Sequence, residues 1–496
     1  MISWMLRWVL WRPLALLVSL VWPALPRRKS VVVRMRLSGR VLESLPRGLP
    51  FVPVQGVMLG EVTAMLRALI DQPNVVGLRL EVGRMETGIA RIQEIRRALQ
   101  ALRAAGKRVH VHLDGAGMRE MLLACDADHI SCAPMASLDL VGIRSEVTYL
   151  GGLAATLGVH PDFEAVGDYK SFAERFVRTG PTSAAHANSE ALFADLWDQL
   201  VRAVAAGRGL TLERAAELLG SGPWGAEDAI RHGLIDSACY ADDVGKEIKK
   251  ALGKVRSVPA SRFWSRNQRI RRLRHRAWPR PLVAVVPASG QIVPSTSGGV
   301  PGSAISARTL SRQLKQVRKD DQVAAVVLRI DSPGGSADAS DLIWRDVRRL
   351  AAEKPVIASM GEMAASGGYY MAMAAHQILA QPGTMTGSIG VVGGKVNIGG
   401  LYEHLGIQRT VIAHGDHSGM YSLAEDFSES ERARLRERME EFYRTFVSKA
   451  AEGRSMAYEE LEPHARGRVW TGRQALKLGL IDGLGGVSDA VVLASE

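Results

Sequence analysis

A chain of 496 residues with 47% hydrophobic and 23% charged residues holds enough apolar material for several folded domains and is too apolar to be disordered. Its formal charge of +12 is unevenly placed: residues 1–40 carry eight Lys/Arg and no acid, residues 254–280 carry ten and no acid, and the remainder sums to −6. The globular parts therefore lack a basic face, which argues against a nucleic-acid partner and favours an anionic membrane. Cys125, Cys132 and Cys239 are odd in number and have no CxxC spacing, against a disulfide framework or a zinc site.

The chain opens on an apolar run from Pro13 to Pro26, extended to spanning length if it starts at Trp8 and Arg12 snorkels to the interface. Trp4, Trp8, Trp11 and Trp22 suit interfacial positions, and no clear small-x-small cleavage site follows. Residues 1–29 are read as a retained membrane anchor; an amphipathic helix lying on the membrane is the alternative. The positive-inside tendency alone would put the body in the cytoplasm.

Residues 30–253 and 281–496 read as two copies of one module, joined by a basic linker at 254–280 whose Arg271, Arg272, Arg274 and Arg276 suit anionic headgroups. Ser38-Gly39-Arg40-Val41 recurs as Ser289-Gly290-Gln291-Ile292, and Leu157-Gly158-Val159 as Leu405-Gly406-Ile407. Trp224 with Gly233-Leu234-Ile235-Asp236 recurs as Trp470 with Gly479-Leu480-Ile481-Asp482. In the second copy, short strands at 282–286, 323–330 and 356–359 alternate with helices near 306–318, 337–352 and 367–375, which predicts an α/β layered domain with a parallel sheet. The first copy follows the same order.

The copies differ where chemistry would be done. Gly167-Asp168-Tyr169-Lys170 faces Gly415-Asp416-His417-Ser418, so one copy keeps a lysine. The second copy has Met363-Ala364-Ala365-Ser366-Gly367-Gly368 where the first, near Met118-Arg119, has no serine. Ser366 falls between a strand and a helix, a corner that projects a hydroxyl and offers the Gly367 N–H to an oxyanion. Asp331-Ser332-Pro333-Gly334-Gly335 breaks a strand end with proline and glycines, freeing backbone N–H groups for a second oxyanion contact. Its counterpart, Glu81-Val82-Gly83-Arg84, lacks that turn.

A serine needs a base. His376 falls in the expected helix after Ser366, too far along it to touch, and with its counterpart His129 it reads as structural; His414 and His417 come with no convincing acid. Lys170, singled out by the asymmetry, can act as base if burial keeps it neutral, with Ser388 in Thr386-Gly387-Ser388-Ile389-Gly390 as a group to orient its amine.

Together Asp331–Gly335, Met363–Tyr370, Thr386–Gly390, Gly167–Ser171 and the closing Val469-Trp470-Thr471-Gly472 resemble the signal peptide peptidase A family in its long duplicated form. The resemblance covers about residues 30–490. It implies two tandem Clp-protease/crotonase-like domains, Ser366 as nucleophile, Lys170 as base, Ser388 as orienting partner, and an oxyanion hole at Gly334, Gly335 and Gly367. It also implies a homo-oligomeric ring, a tetramer among the allowed sizes, anchored in a bacterial inner membrane with its body outside the cytoplasm. The implied substrates are cleaved signal peptides and other apolar peptides. Nothing suggests a metal or other cofactor. A catalytically inactive peptide-binding scaffold and a crotonase-like acyl-thioester enzyme are the rival readings.

Overall fold

The computed structural model describes residues 30–44, 56–277, 280–295 and 304–496, so the expected anchor at 1–29 lies outside the described residues. Among the described residues no helix is long and apolar enough to cross a membrane.

Two largely parallel sheets carry the fold. The first has the strand order Ser237–Ala238, His129–Cys132, Arg108–Leu113, Val75–Met85, Val31–Gly39, Arg256–Pro259. The second has Gly483–Leu484, Gln377–Ala380, Val356–Ala365, Val323–Ser332, Leu282–Ser289. Read from the same edge, five strands correspond one to one. In the second sheet the central strands Val323–Ser332 and Val356–Ala365 are largely apolar and buried, as expected of strands covered by helices on both faces.

The duplication extends to single hydrogen bonds. Trp224 Nε1 donates to Leu218 O at 2.8 Å and Trp470 Nε1 to His464 O at 2.9 Å. Arg208 pairs with Asp236 at 2.7 Å and Arg454 with Asp482 at 2.6 Å, and each aspartate also accepts a backbone N–H, from Ile130 and Ile378 respectively. Both arginines end helices of 26 residues, Ser183–Arg208 and Glu429–Arg454, each opened by a hydroxyl N-cap, Thr182 and Ser428.

The described part of the basic segment between the copies forms a strand and a helix. Arg256–Pro259 adds an edge strand to the first sheet beside Val31–Arg34, and Ala260–Ala277 is a helix. The helix after Ser366 is shorter than the sequence suggests: it spans Gly367–Ala372, and strand Val356–Ala365 runs straight into Ser366. His376 therefore lies beyond that helix, where its Nδ1 accepts the Val356 N–H. In the first copy the matching bond, Val109 N–H to a side chain, is made by Asp128, which makes Asp128 and not His129 the counterpart of His376.

Candidate active site

Strand pairing between the two copies delivers the lysine. His160–Val166 of the first runs antiparallel to Val391–Asn397 of the second, in register from His160 against Asn397 to Val166 against Val391. Chain leaving Val166 and chain entering Val391 thus lie at one end of the ribbon, so Lys170 and Ser388 emerge side by side. A tight turn fixes the approach. Tyr169 N–H donates to Arg466 O at 2.9 Å, and Gly467 (φ +78°) packs so closely that a Cβ there would stand 2.6 Å from Lys170 Cβ.

Lys170 Nζ sits 3.1 Å from Ser366 Oγ, 2.9 Å from Ser388 O and 3.0 Å from Ser388 Oγ. The lysine is 9% exposed, and burial alone brings its pKa down to about 7. Strain gathers around it. Four non-glycine residues among those described have positive φ: Ser455, which closes a helix, and Ser366 (+53°), Ser388 (+52°) and Arg466 (+48°), which surround Lys170. Ser366, with ψ −119°, lies outside the ordinary left-handed well, held by its N–H bond to Gly387 O at 2.8 Å.

The Asp331–Gly335 turn packs directly on this corner. A Cβ on Gly334 would stand 2.7 Å from Gly367 N and 2.9 Å from Ser366 Cβ. The Gly334 N–H donates to Ser332 Oγ at 3.1 Å and so is already engaged. Ile292 donates to Gly334 O at 2.8 Å and accepts from Ser336 N–H at 2.9 Å, a parallel bridge that turns the Gly335 N–H away from Ile292. A Cβ on Gly367 would meet Ser340 Oγ at 2.4 Å, so the corner tolerates only glycine. Among the described residues no histidine bonds Ser366 or Lys170, and His414 and His417 are exposed.

A buried charge network that sequence reading missed ties the turn to the first copy. Arg91 pairs with Asp331 and, at 3.2 Å, with Glu43. Asp331 Oδ1 accepts the Met363 N–H at 3.1 Å. Arg329, 3% exposed, bonds Glu43 and Glu94 at 2.8 Å each and donates to Ser359 Oγ and Met360 O. The signal was available: an arginine inside the apolar strand Val323–Ile330 must find partners, because an unpaired buried charge is untenable.

The model of peptidase family S49 matches residues 101–256 and 348–496. The chain is 32% identical over 475 residues to serine protease SPPA, chloroplastic, of Arabidopsis thaliana, covering 95% of this chain and 69% of that protein. It is 30% identical to Protease 4 of Salmonella typhi, covering 88% of this chain and 72% of that one. This chain belongs to peptidase family S49. It is a serine protease. A solved ClpP1 chain from Listeria monocytogenes aligns with 42% of this S49 peptidase at 15% identity with a TM-score of 0.28, too loose a likeness to carry an argument.

Proposed function

We propose that this S49 peptidase cleaves peptides with a Ser366/Lys170 dyad through an acyl-enzyme. The observation that carries the reading is a buried lysine amine 3.1 Å from a strained serine hydroxyl. A neutral amine has two hydrogens and one lone pair. Ser388 O and Oγ accept the two hydrogens, which leaves the lone pair to take the Ser366 proton. Ser366 Oγ then attacks the peptide carbonyl. With the Gly334 N–H engaged by Ser332, the oxyanion donors are the N–H groups of Gly335 and Gly367. Lys170 returns the proton to the leaving amine, and water releases the acyl group.

The substrates in this reading are cleaved signal peptides and other apolar peptides at a bacterial inner membrane, with residues 1–29 as the anchor and the body outside the cytoplasm. The two repeats are Clp-protease/crotonase-like domains, and the assembly is a ring. What supports a ring is an incomplete pairing. By the repeat, residues 143–149 and 408–414 correspond to the two strands that pair inside the chain, yet both are outside any strand and expose Val147, Val411 and Ile412. Joined head to tail between copies, they would close the repeat pattern. Cleavage of a synthetic signal peptide by the full chain, compared with Ser366→Ala and Lys170→Ala, tests the dyad: both variants are expected to lose activity, and full activity in either refutes it. Thioester turnover that survives Ser366→Ala would favour the acyl-thioester reading instead.

A further inference from the structure

The two repeats diverge at a second place, on the sheet face away from the dyad's strand ends. In the second copy Val327, Ile357, Leu379 and Ala490 form a small apolar cluster under the helix Val487–Leu493. Strand registers align Val327, Ile357 and Leu379 with Arg79, His110 and Ser131 of the first copy, where the covering helix is Val244–Leu252. The same site has thus exchanged aliphatic side chains for polar ones. Burying polar groups costs stability unless they are matched, so the exchange calls for a role.

His110, His129 and Glu247 each point one ligand atom into this space, and these atoms lie within 4.8 Å of one another. His129 Nε2 stands 3.5 Å and His110 Nε2 3.9 Å from Glu247 Oε2. A tetrahedral zinc site with bonds near 2.1 Å needs ligand atoms about 3.4 Å apart, which the 3.5 Å pair already meets, while the widest separation, within 4.8 Å, needs the side chains to close by up to about 1.4 Å. His110 is buried, with its ring 4.5 Å from that of His129. Its Nε2 also stands 3.1 Å from Ser131 Oγ, a hydrogen bond that the cation would replace. Ser237 Oγ, 2.8 Å from His129 Nε2 and 3.2 Å from Glu247 Oε1, can hold a water in the fourth position. Arg79, the cation on the adjoining strand, is drawn off by Glu81 at 2.7 Å and by Ala241 O. His129 and Glu247 keep 37% and 32% of their side-chain surface exposed, which gives a cation a way in.

We propose that His110, His129 and Glu247 bind a divalent cation of the zinc class that clamps the helix Val244–Leu252 to the strands Arg108–Leu113 and His129–Cys132. Sequence spacing conceals the site, because its ligands come from two strands and a helix far apart in the chain. The site is structural and takes no part in peptide cleavage.

The test titrates metal-stripped full-length protein with Zn²⁺ by calorimetry. The wild type is expected to bind one cation per chain tightly, and His110→Ala/His129→Ala to weaken that step at least about 100-fold. An unchanged isotherm in the double variant, or no tight step in the wild type, overturns the site. Should the variant misfold, Co²⁺ loading of the wild type decides. Intense tetrahedral visible bands without a sulfur charge-transfer band are expected, and a weak octahedral spectrum overturns the proposal. A strong thiolate band would also overturn the ligand set, by placing Cys239, which neighbours Ser131 and Glu247, on the metal.

Discussion

Replacing Lys170 with methionine separates what the lysine does for catalysis from what it does to stability. Its pKa of about 7 lies below the ordinary lysine value of 10.5, a displacement of about 5 kcal/mol against the folded state that is fully felt only below about pH 7. The folded value is the lower one, so between about pH 7 and pH 10.5 the unfolded chain binds more protons and wild-type stability rises with pH, by up to about 1.4 kcal/mol per unit. Methionine removes that penalty and loses three polar contacts, with Ser366 Oγ, Ser388 O and Ser388 Oγ, at about 1 kcal/mol each. The variant is therefore expected to be inactive yet about 2 kcal/mol more stable than wild type near pH 7. Its advantage shrinks with pH and reverses near about pH 8, and by about pH 10.5, where only the lost contacts remain, the variant is about 3 kcal/mol less stable than wild type. Urea unfolding followed by tryptophan fluorescence at several pH values measures this. A variant destabilised by the same amount at every pH would show that the wild-type amine is charged and solvated, and would refute the reasoning.

Two further outcomes follow from the same corner. Gly367→Ala would drive a Cβ into Ser340 Oγ at 2.4 Å, and is expected to lower kcat/KM at least about 100-fold while leaving the overall fold intact by circular dichroism. Arg91→Ala removes the ion pairs to Asp331 and Glu43 and should cost about 1–3 kcal/mol in unfolding free energy; because Asp331 also holds the Met363 N–H, kcat should fall with little change in KM.

How much of this could be read beforehand depended on whether a feature is local. The α/β layering, the duplication and the serine corner follow from apolar runs, glycine turns and residues repeated in order, all local patterns. Lys170 was legible because one copy breaks the pattern of the other. The length of the helix after Ser366 was not, since Gly367–Ala375 is uniformly small and apolar and nothing in it marks the stop after Ala372. The engagement of the Gly334 N–H by Ser332 depends on one side-chain rotamer inside a turn. The Glu43–Arg91–Arg329–Asp331 network and the His110–His129–Glu247 cluster join residues distant in sequence, so only the fold brings them together.

The central claim is that a neutral Lys170 activates Ser366, and acylation of Ser366 by a fluorophosphonate tests it most directly. The second-order labelling rate should climb about tenfold per pH unit below about pH 7, level off above it, and vanish in Lys170→Ala. A rate that is flat across that range, or that survives loss of the lysine, would contradict the account.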